Sequence, residues 1–133
     1  RNIHFSVTVT PVTVQGIRPL MREMVYNICE NAVKYNVDGG SVTVNVSDTG
    51  QDIRLEVKDT GIGIPERDLE RVFERFYRVD KSRSKASGGT GLGLAIVKHA
   101  ALYHHATLDL SSELGVGTTI TVTFPIQQDE PFA

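Results

Sequence analysis

The residues best suited to chemistry form a glycine-rich loop, Gly-Gly-Thr-Gly-Leu-Gly-Leu, over positions 88–94. An apolar helical pattern follows the loop directly. Glycines let a backbone approach a ligand closely, and the free N–H groups at a helix N-terminus favour phosphate. The stretch therefore predicts a phosphate-binding loop that opens a helix, with a plain glycine turn as the alternative.

A second candidate lies on the polar side of a helix predicted over Leu20–Asn36. Asn27 and Asn31 are four residues apart, and Lys34 lies on the same side. Carboxamide oxygens can bind Mg²⁺ together with phosphate oxygens and water, and Lys34 supplies a positive charge. A solvated helix face is the plainer interpretation, but asparagine is a poor helix former, so two in mid-helix require a reason.

Two more glycine turns accompany strand ends. Asp59 closes an apolar strand and opens Asp-Thr-Gly-Ile-Gly. Its carboxylate could accept a hydrogen bond from an amino group such as that of adenine, and Gly61 and Gly63 would let a flat ring lie against the backbone. A turn closed by an Asx hydrogen bond fits the same residues equally well. The second turn, Gly-Val-Gly-Thr at 115–118, is typical of a hairpin connection.

The most basic part of the chain follows an aromatic helical pattern at Phe73, Phe76 and Tyr77. Arginine can bind phosphate oxygens bidentately, so Arg78 is the preferred phosphate ligand here, with Lys81 or Arg83 next. The aromatic side chains are expected to pack in the core and to anchor the basic loop.

Strands and helices alternate along the chain in an order that predicts the fold class. Two pairs of strands are joined as hairpins instead of through repeated βαβ units, which predicts an α+β sandwich with one mixed sheet covered by helices on one face. Residues 1–126 are expected to form one domain and 127–133 a tail. The predicted elements are a half-buried strand Ile3–Val9, the helix Leu20–Asn36, strands Val42–Val46 and Ile53–Asp59, a short helix from Pro65 to Tyr77, a helix from the glycine loop to Tyr103, and strands Thr107–Ser111 and Thr118–Phe124.

The composition is that of an ordinary globular domain. The chain has 133 residues, a net charge of −2 and 40% hydrophobic residues, so no global field draws it to nucleic acid or to an anionic membrane. No apolar run approaches the ~20 residues that span a bilayer. The single Cys29 excludes an internal disulfide, fits a reducing compartment and is predicted as a buried small hydrophobe. The first residue is Arg1, which suggests an excised domain.

Taken in order, the motifs resemble those of the catalytic ATP-binding domain of bacterial two-component sensor histidine kinases, in the GHKL ATPase superfamily. The resemblance spans about Pro19–Pro125. Residues 27–35 (Asn-Ile-Cys-Glu-Asn-Ala-Val-Lys-Tyr) resemble the N box, 59–63 the G1 box, 73–78 the F box, 89–93 the G2 box and 115–118 the G3 box.

The resemblance implies a Bergerat-type two-layer α/β sandwich, with a mixed, mostly antiparallel sheet of about five strands covered on one face by three helices. It also implies ATP and Mg²⁺ as cofactors. Asn31 would hold Mg²⁺ with Asn27 and Glu23 in support, Lys34 and Arg78 would contact phosphates, and Asn31, Lys34 and Arg78 would be the catalytic residues. Residues 82–89 would form a lid over the nucleotide. Further nucleotide contacts are expected at Tyr35, Asp59, Gly61, Gly63, Ile64, Phe76, Tyr77, Gly89, Thr90, Gly91, Leu92, Gly93, Leu94 and Thr118.

By the same resemblance, the γ-phosphoryl group goes to a histidine on a separate dimerisation domain and from there to a response regulator. The four histidines of this chain lack the sequence context expected of a phosphoacceptor. His99, His104 and His105 fall at or beyond a helix C-terminus, where cationic side chains are favoured, so they are interpreted as structural. The chain is expected to be a monomer and the cytoplasmic domain of a membrane-anchored bacterial sensor kinase, with no contact to nucleic acid or membrane.

Three other functions stay open at this point. A GHKL serine kinase of the anti-sigma type shares the ATP site, but the F box and the long basic loop fit a histidine kinase better. A gyrase- or chaperone-type ATPase would use an internal glutamate, for which Glu23 and Glu30 are candidates. A scaffold that only reports ATP to a partner is the non-enzymatic alternative. P-loop and eukaryotic-type kinases are excluded, because their signature sequences are missing.

Overall fold

The computed structural model describes residues 2–12, 16–69, 71–73 and 93–125. Within these residues the chain forms five strands, two α-helices and one turn of 3-10 helix, in the predicted α+β order. The elements are β1 (His4–Val9), α1 (Arg18–Lys34), β2 (Ser41–Asp48), β3 (Asp52–Asp59), the 3-10 turn (Glu66–Asp68), α2 (Gly93–Tyr103), β4 (Thr107–Glu113) and β5 (Gly117–Pro125).

The strands form one mixed sheet with the order β1-β2-β3-β5-β4. β1 runs parallel to β2, and all other neighbours are antiparallel. The β2–β3 hairpin turns at Gly50, whose φ of 89° favours glycine, and its N–H donates to Asp48 Oδ1 at 2.8 Å. The predicted five-stranded, mostly antiparallel sheet is confirmed.

The two helices pack on each other and on one face of the sheet, α1 over β2 and β3 and α2 over β4. Their small and apolar side chains meet the alternate residues of the strands in a single core. Cys29 packs against this core as predicted but is half-buried instead of buried, and this burial raises the pKa of its thiol. The helix residues buried in the core are Met24, Ile28, Ala32, Val97, Ala100 and Ala101.

The start of α1 lacks a side-chain cap, although Pro19 lies in its first turn. Instead, the Ile17 N–H that precedes the helix donates to His104 Nε2 at 3.0 Å, and His104 Nδ1 lies 2.7 Å from the Ala100 carbonyl. His104 therefore links the start of α1 to the end of α2, which is the structural role that its position predicts.

The short helix predicted from Pro65 to Tyr77 is described only in part. Pro65 precedes a single turn of 3-10 helix at Glu66–Asp68, followed by turns at residue 69 and residues 71–73. The apolar spacing still marks an inward side, because Val72 is 5% exposed. Short 3-10 turns of this kind are common connectors. The remainder of the predicted helix, residues 74–77, lies outside the described residues.

The first strand is not half-buried, as its alternating pattern predicts. The register places Phe5, Val7 and Val9 opposite alternate valines of β2, on the face that the helices cover. Their exposed fractions are nevertheless 49%, 57% and 56%. β1 is an edge strand, and neither described helix makes an extensive contact with it. The pattern thus indicates the correct face but not its burial.

Candidate functional site

The helix-covered face of the sheet ends in a row of polar residues. Asp59 of β3 pairs with Thr118 of β5, which pairs with Ser112 of β4, so the three side chains are neighbours on one face. The row is continued by Val42 of β2. The adjoining row of the same face is entirely apolar: Val44, Val57, Ile120 and Leu110.

Asp59 is held at this edge by backbone donors. Its Oδ1 accepts the N–H of Gly61 at 2.9 Å and the N–H of Thr118 at 3.2 Å. Burial raises the pKa of the Asp59 carboxyl, and these two hydrogen bonds oppose the rise. Oδ2 makes no hydrogen bond with any described residue, so it is left as an acceptor for a ligand.

The loop after Asp59 is fixed between α1 and the β4–β5 turn. The Ile62 N–H donates to the carbonyl of Tyr35, the residue that ends α1, at 3.1 Å. The Ile62 carbonyl accepts the N–H of Gly115 at 2.8 Å. The segments that resemble the N, G1 and G3 boxes are therefore joined by backbone hydrogen bonds into one site.

The glycines of this loop are required by close backbone packing. A Cβ at Gly61 would overlap the Tyr35 carbonyl, and one at Gly63, whose φ is 76°, would overlap the Glu113 carbonyl. The sequence correctly marks both positions as glycine-dependent. The structure adds a reason of its own, because it needs this space for its backbone, and the contact with a flat ring stays a prediction.

Asn27 connects α1 to the start of α2. Its Nδ2 donates to the Glu23 carbonyl at 2.8 Å, which fixes the orientation of the carboxamide. The Asn27 Oδ1 then lies next to Gly93, where an added Cβ would be 3.1 Å away. Gly93 is the first described residue of α2. The carboxamide oxygen thus lies beside the described start of α2, which follows the predicted phosphate loop in sequence. The Glu23 carbonyl holds Asn27 in this orientation, and the support of Mg²⁺ by Glu23 stays a prediction.

Asn31 lies one helical turn beyond Asn27 and is half-buried. Its side chain makes no hydrogen bond with any described residue, so its carboxamide oxygen is available to a cation. The described residues contain no cluster of three or more His, Cys, Asp or Glu side chains that could hold a metal. Mg²⁺ commonly combines few protein ligands with phosphate oxygens and water, so this donor set fits a nucleotide-bound ion.

Three further predicted site residues, Lys34, Leu94 and Ile64, lie within the described part of the chain. Lys34 is half-buried in the last turn of α1, and Leu94 packs against the core at the start of α2. Ile64 donates its N–H to Ser112 Oγ at 2.8 Å. The other predicted ligands lie outside the described residues, and their roles stay predictions: Phe76, Tyr77, Arg78, Gly89, Thr90, Gly91 and Leu92.

Two residues of the site, Asn36 and Ser112, are not among the predicted site residues. Asn36 is only 1% exposed, donating from Nδ2 to the Ser41 carbonyl at 3.0 Å and accepting the Val37 N–H at 2.8 Å, so it holds the turn beside Gly61. Ser112 lies beyond the predicted end of its strand. Continuing the alternation of the strand by one step would have placed a serine on the core-facing side, a signal that a polar group is needed there.

None of the helices in the described residues is long and apolar enough to cross a membrane.

The sequence matches, over residues 16–128, the family model described as histidine kinase-, DNA gyrase B- and HSP90-like ATPase. It is 44% identical over 131 residues to the sensor-like histidine kinase SenX3 of Mycolicibacterium smegmatis, which covers 96% of this chain and 34% of SenX3. The chain thus spans about a third of the length of that curated relative.

Solved structures agree with the sequence matches. The mycobacterial sensor histidine kinase MprB superposes with a TM-score of 0.80 at 36% identity, covering 92% of this chain and 83% of that one. Full-length ShkA in complex with AMPPNP gives a TM-score of 0.76 at 30% identity, covering 92% of this chain and 25% of that one. The predicted fold class is confirmed, with two α-helices described. The chain therefore belongs to the histidine kinase-, DNA gyrase B- and HSP90-like ATPase family, among its sensor histidine kinases.

Proposed function

We propose that this chain binds ATP with Mg²⁺ and donates the γ-phosphoryl group to a histidine on a separate dimerisation domain of its parent protein. A response regulator would then receive the phosphoryl group from that histidine. Family membership supports the nucleotide, and the complex of ShkA with AMPPNP, an ATP analogue, supports the class of ligand. The match to about a third of SenX3 agrees with a parent protein that carries further domains.

The observation that carries the proposal is the position of Asp59 at the polar end of the sheet. One carboxylate oxygen is occupied by two backbone donors, and the other is an acceptor without a described partner. An adenine amino group is a donor that fits it. The raised pKa of this partly buried carboxyl is typical of functional sites, where burial is retained for a ligand.

The phosphates would lie beside the polar side of α1. Asn27 Oδ1 faces the N-terminus of α2, Asn31 would hold Mg²⁺, and Lys34 would contribute positive charge. When bound, Mg²⁺ would neutralise charge on the phosphate oxygens. Arg78 and the glycine loop at 89–94 complete the proposed set on the strength of the resemblance.

The transfer itself needs little covalent chemistry from this chain. The bond from phosphorus to the oxygen that bridges the β- and γ-phosphates breaks and leaves ADP, while a bond forms from phosphorus to an imidazole nitrogen of the acceptor. The residues of this site would hold the chain of phosphates in line and neutralise charge that builds on the leaving oxygen. The acceptor histidine and the group that removes its proton belong to the other domain.

The cellular setting is part of the proposal. We expect a cytoplasmic domain of a membrane-anchored bacterial sensor kinase, without partners in nucleic acid or membrane. The isolated chain is expected to be a monomer, since dimerisation belongs to the separate domain. Sedimentation equilibrium would test this point, and a tight dimer would contradict it.

Calorimetric titration with AMPPNP tests the binding step. The proposal expects binding that is stronger with Mg²⁺ than with EDTA. A second assay mixes the chain with a separately produced dimerisation domain and ATP labelled at the γ-phosphate, and expects acid-labile label on that domain. Absence of AMPPNP binding would contradict the proposed function, whereas binding without transfer would contradict only the kinase step.

A further inference from the structure

Ser112 is the most heavily shared side chain of the polar row. Its Oγ accepts the Ile64 N–H at 2.8 Å, lies 3.0 Å from the Gly117 carbonyl and lies 2.8 Å from Thr118 Oγ1. It therefore contacts the loop after β3, the β4–β5 turn and the neighbouring side chain at once. Thr118 in turn donates its backbone N–H to Asp59 and is 8% exposed.

The number of protons in this cluster determines the direction of each hydrogen bond. A serine hydroxyl has one proton to donate and two lone pairs that accept. The carbonyl of Gly117 can only accept, so the Ser112 proton goes there, and the N–H of Ile64 takes one lone pair. The second lone pair is left for the hydroxyl of Thr118, which must then be the donor in that contact. If Ser112 donated its proton to Thr118 instead, Ser112 Oγ would face the Gly117 carbonyl without a proton between them, and both oxygens are acceptors.

This arrangement changes what Thr118 can offer to a ligand. With its proton committed to Ser112, the Thr118 hydroxyl can only accept further hydrogen bonds. Asp59 Oδ2, beside it on the sheet, is also an acceptor. Two neighbouring acceptors favour a base edge with an amino donor, directly or through a bridging water, and disfavour one with a carbonyl oxygen.

We propose that Ser112 is a positioning residue for base selection: it fixes Thr118 as an acceptor and thereby favours a 6-amino purine over a 6-keto purine. This inference rests on the proposed function, because it requires a purine nucleotide in the site. It goes further in assigning the choice of base to a serine that itself need not touch the nucleotide.

A purely structural role for Ser112 makes a different prediction. Loss of the hydroxyl would then loosen the loop and weaken binding of every purine nucleotide alike. The ratio of two affinities separates the two roles, since a loose loop lowers both affinities and leaves their ratio unchanged. ADP and inosine diphosphate are suitable probes, because they differ only at the amino or keto edge of the base.

The experiment measures dissociation constants of ADP and inosine diphosphate for the chain and its Ser112→Ala, Ser112→Thr and Ser111→Ala variants. In Ser112→Ala we expect the preference for ADP to fall about tenfold, the scale of one hydrogen bond. Ser112→Thr retains the hydroxyl and should retain the preference. Ser111 is exposed on the other side of the same strand, so Ser111→Ala is the matched control and should change neither constant.

Thr118→Val gives a second route if Ser112→Ala fails to fold, since it leaves the bonds of Ser112 to Ile64 and Gly117 in place. It should lower the preference for ADP by a similar factor. Where Ser112→Ala folds, combining it with Thr118→Val should change the preference no further than Thr118→Val alone. An unchanged ratio in both variants would overturn the inference. If the unaltered chain binds neither nucleotide, the proposed function itself fails, and the two failures are thus distinguishable.

Discussion

The apolar row and the polar row lie side by side on one face of the sheet, and one belongs to the core while the other belongs to the candidate site. The apolar row contains Val57 and Ile120, which are 2% and 4% exposed. Two residues further along the same strands, about 7 Å away, the polar row contains Asp59 and Thr118 in the same register. The two rows lie on the same neighbouring strands and on the same face of the sheet. They differ only in their side chains and in the elements that cover them.

The two rows differ in whether their side chains find all of their partners within the chain. The apolar row is closed by the helices and is satisfied within the chain. The polar row is closed by backbone N–H groups and hydroxyls, which saturate one oxygen of Asp59 but leave the other. The first row should therefore govern folding, and the second should govern binding.

The largest effect is expected from Ile120→Ala in the apolar row. Removing a buried isoleucine side chain leaves a cavity and should reduce the free energy of unfolding by about 3 kcal/mol. Urea denaturation measures this, and the ADP dissociation constant of the folded variant should stay within about twofold. Thr121→Ala, on the opposite face of the same strand, is the control. A large loss of ADP affinity in folded Ile120→Ala would show that the rows do not divide these tasks.

Asp59→Asn in the polar row should have the opposite profile. The amide can still accept the two N–H groups through its oxygen but presents a donor in place of Oδ2, so ADP affinity should fall by about 100-fold. The melting temperature of the nucleotide-free chain should not fall, because a partly buried charge has been removed. Asp52→Asn, at the other end of the same strand, is the matched control. Weakened binding accompanied by a lower melting temperature would make Asp59 a structural residue.

Asn31→Ala tests the side of the site that faces the phosphates. The Asn31 carboxamide has no described partner to lose, so stability should change little. If Asn31 holds Mg²⁺, ADP affinity should fall by about tenfold with Mg²⁺ present and should not change in EDTA. Glu30→Gln, on an exposed position of the same helix, is the control. Equal losses with and without Mg²⁺ would remove Asn31 from the metal role.

The division between the rows also explains how much of the fold was predictable from sequence. The apolar row arises from alternation within each strand, so the spacing of Val57 and Ile120 is enough to assign both to a core face. Pairing between distant strands is not encoded in alternation. The placement of Ser112 beside Thr118 and Asp59 depends on the order β3-β5-β4, which local patterns do not reveal.

The wrong burial of β1 and the unforeseen partner of His104 have the same origin. Phe5 alternates like a core residue, but whether a strand is covered depends on how far the helices extend across the sheet. The position of His104 at a helix end predicts a structural role, but it does not identify the Ile17 N–H as the partner. In both cases the outcome depends on segments that are distant in sequence, which local patterns do not describe.

The smallest predicted effect is the response of the polar row to pH. Burial raises the pKa of the Asp59 carboxyl above its ordinary value of 3.8. Acidification toward this raised pKa should protonate Oδ2 and progressively weaken adenine binding. Calorimetry with ADP measures the trend, and adenosine, which has no phosphate to titrate, should share it. A flat profile for adenosine would contradict an acceptor role for this carboxylate.

Protonation of Asp59 should weaken adenine binding, but it should stabilise the fold of the nucleotide-free chain. A carboxyl whose folded-state pKa is raised stabilises the fold fully below its unfolded pKa, and that contribution is lost as the pH rises through the folded pKa. Asp59→Asn should therefore melt above the unaltered chain at neutral pH, and the gap should narrow as the pH falls. A gap that widens on acidification would mean that Asp59 stabilises the fold as an anion, and the polar row would then serve folding as the apolar row does.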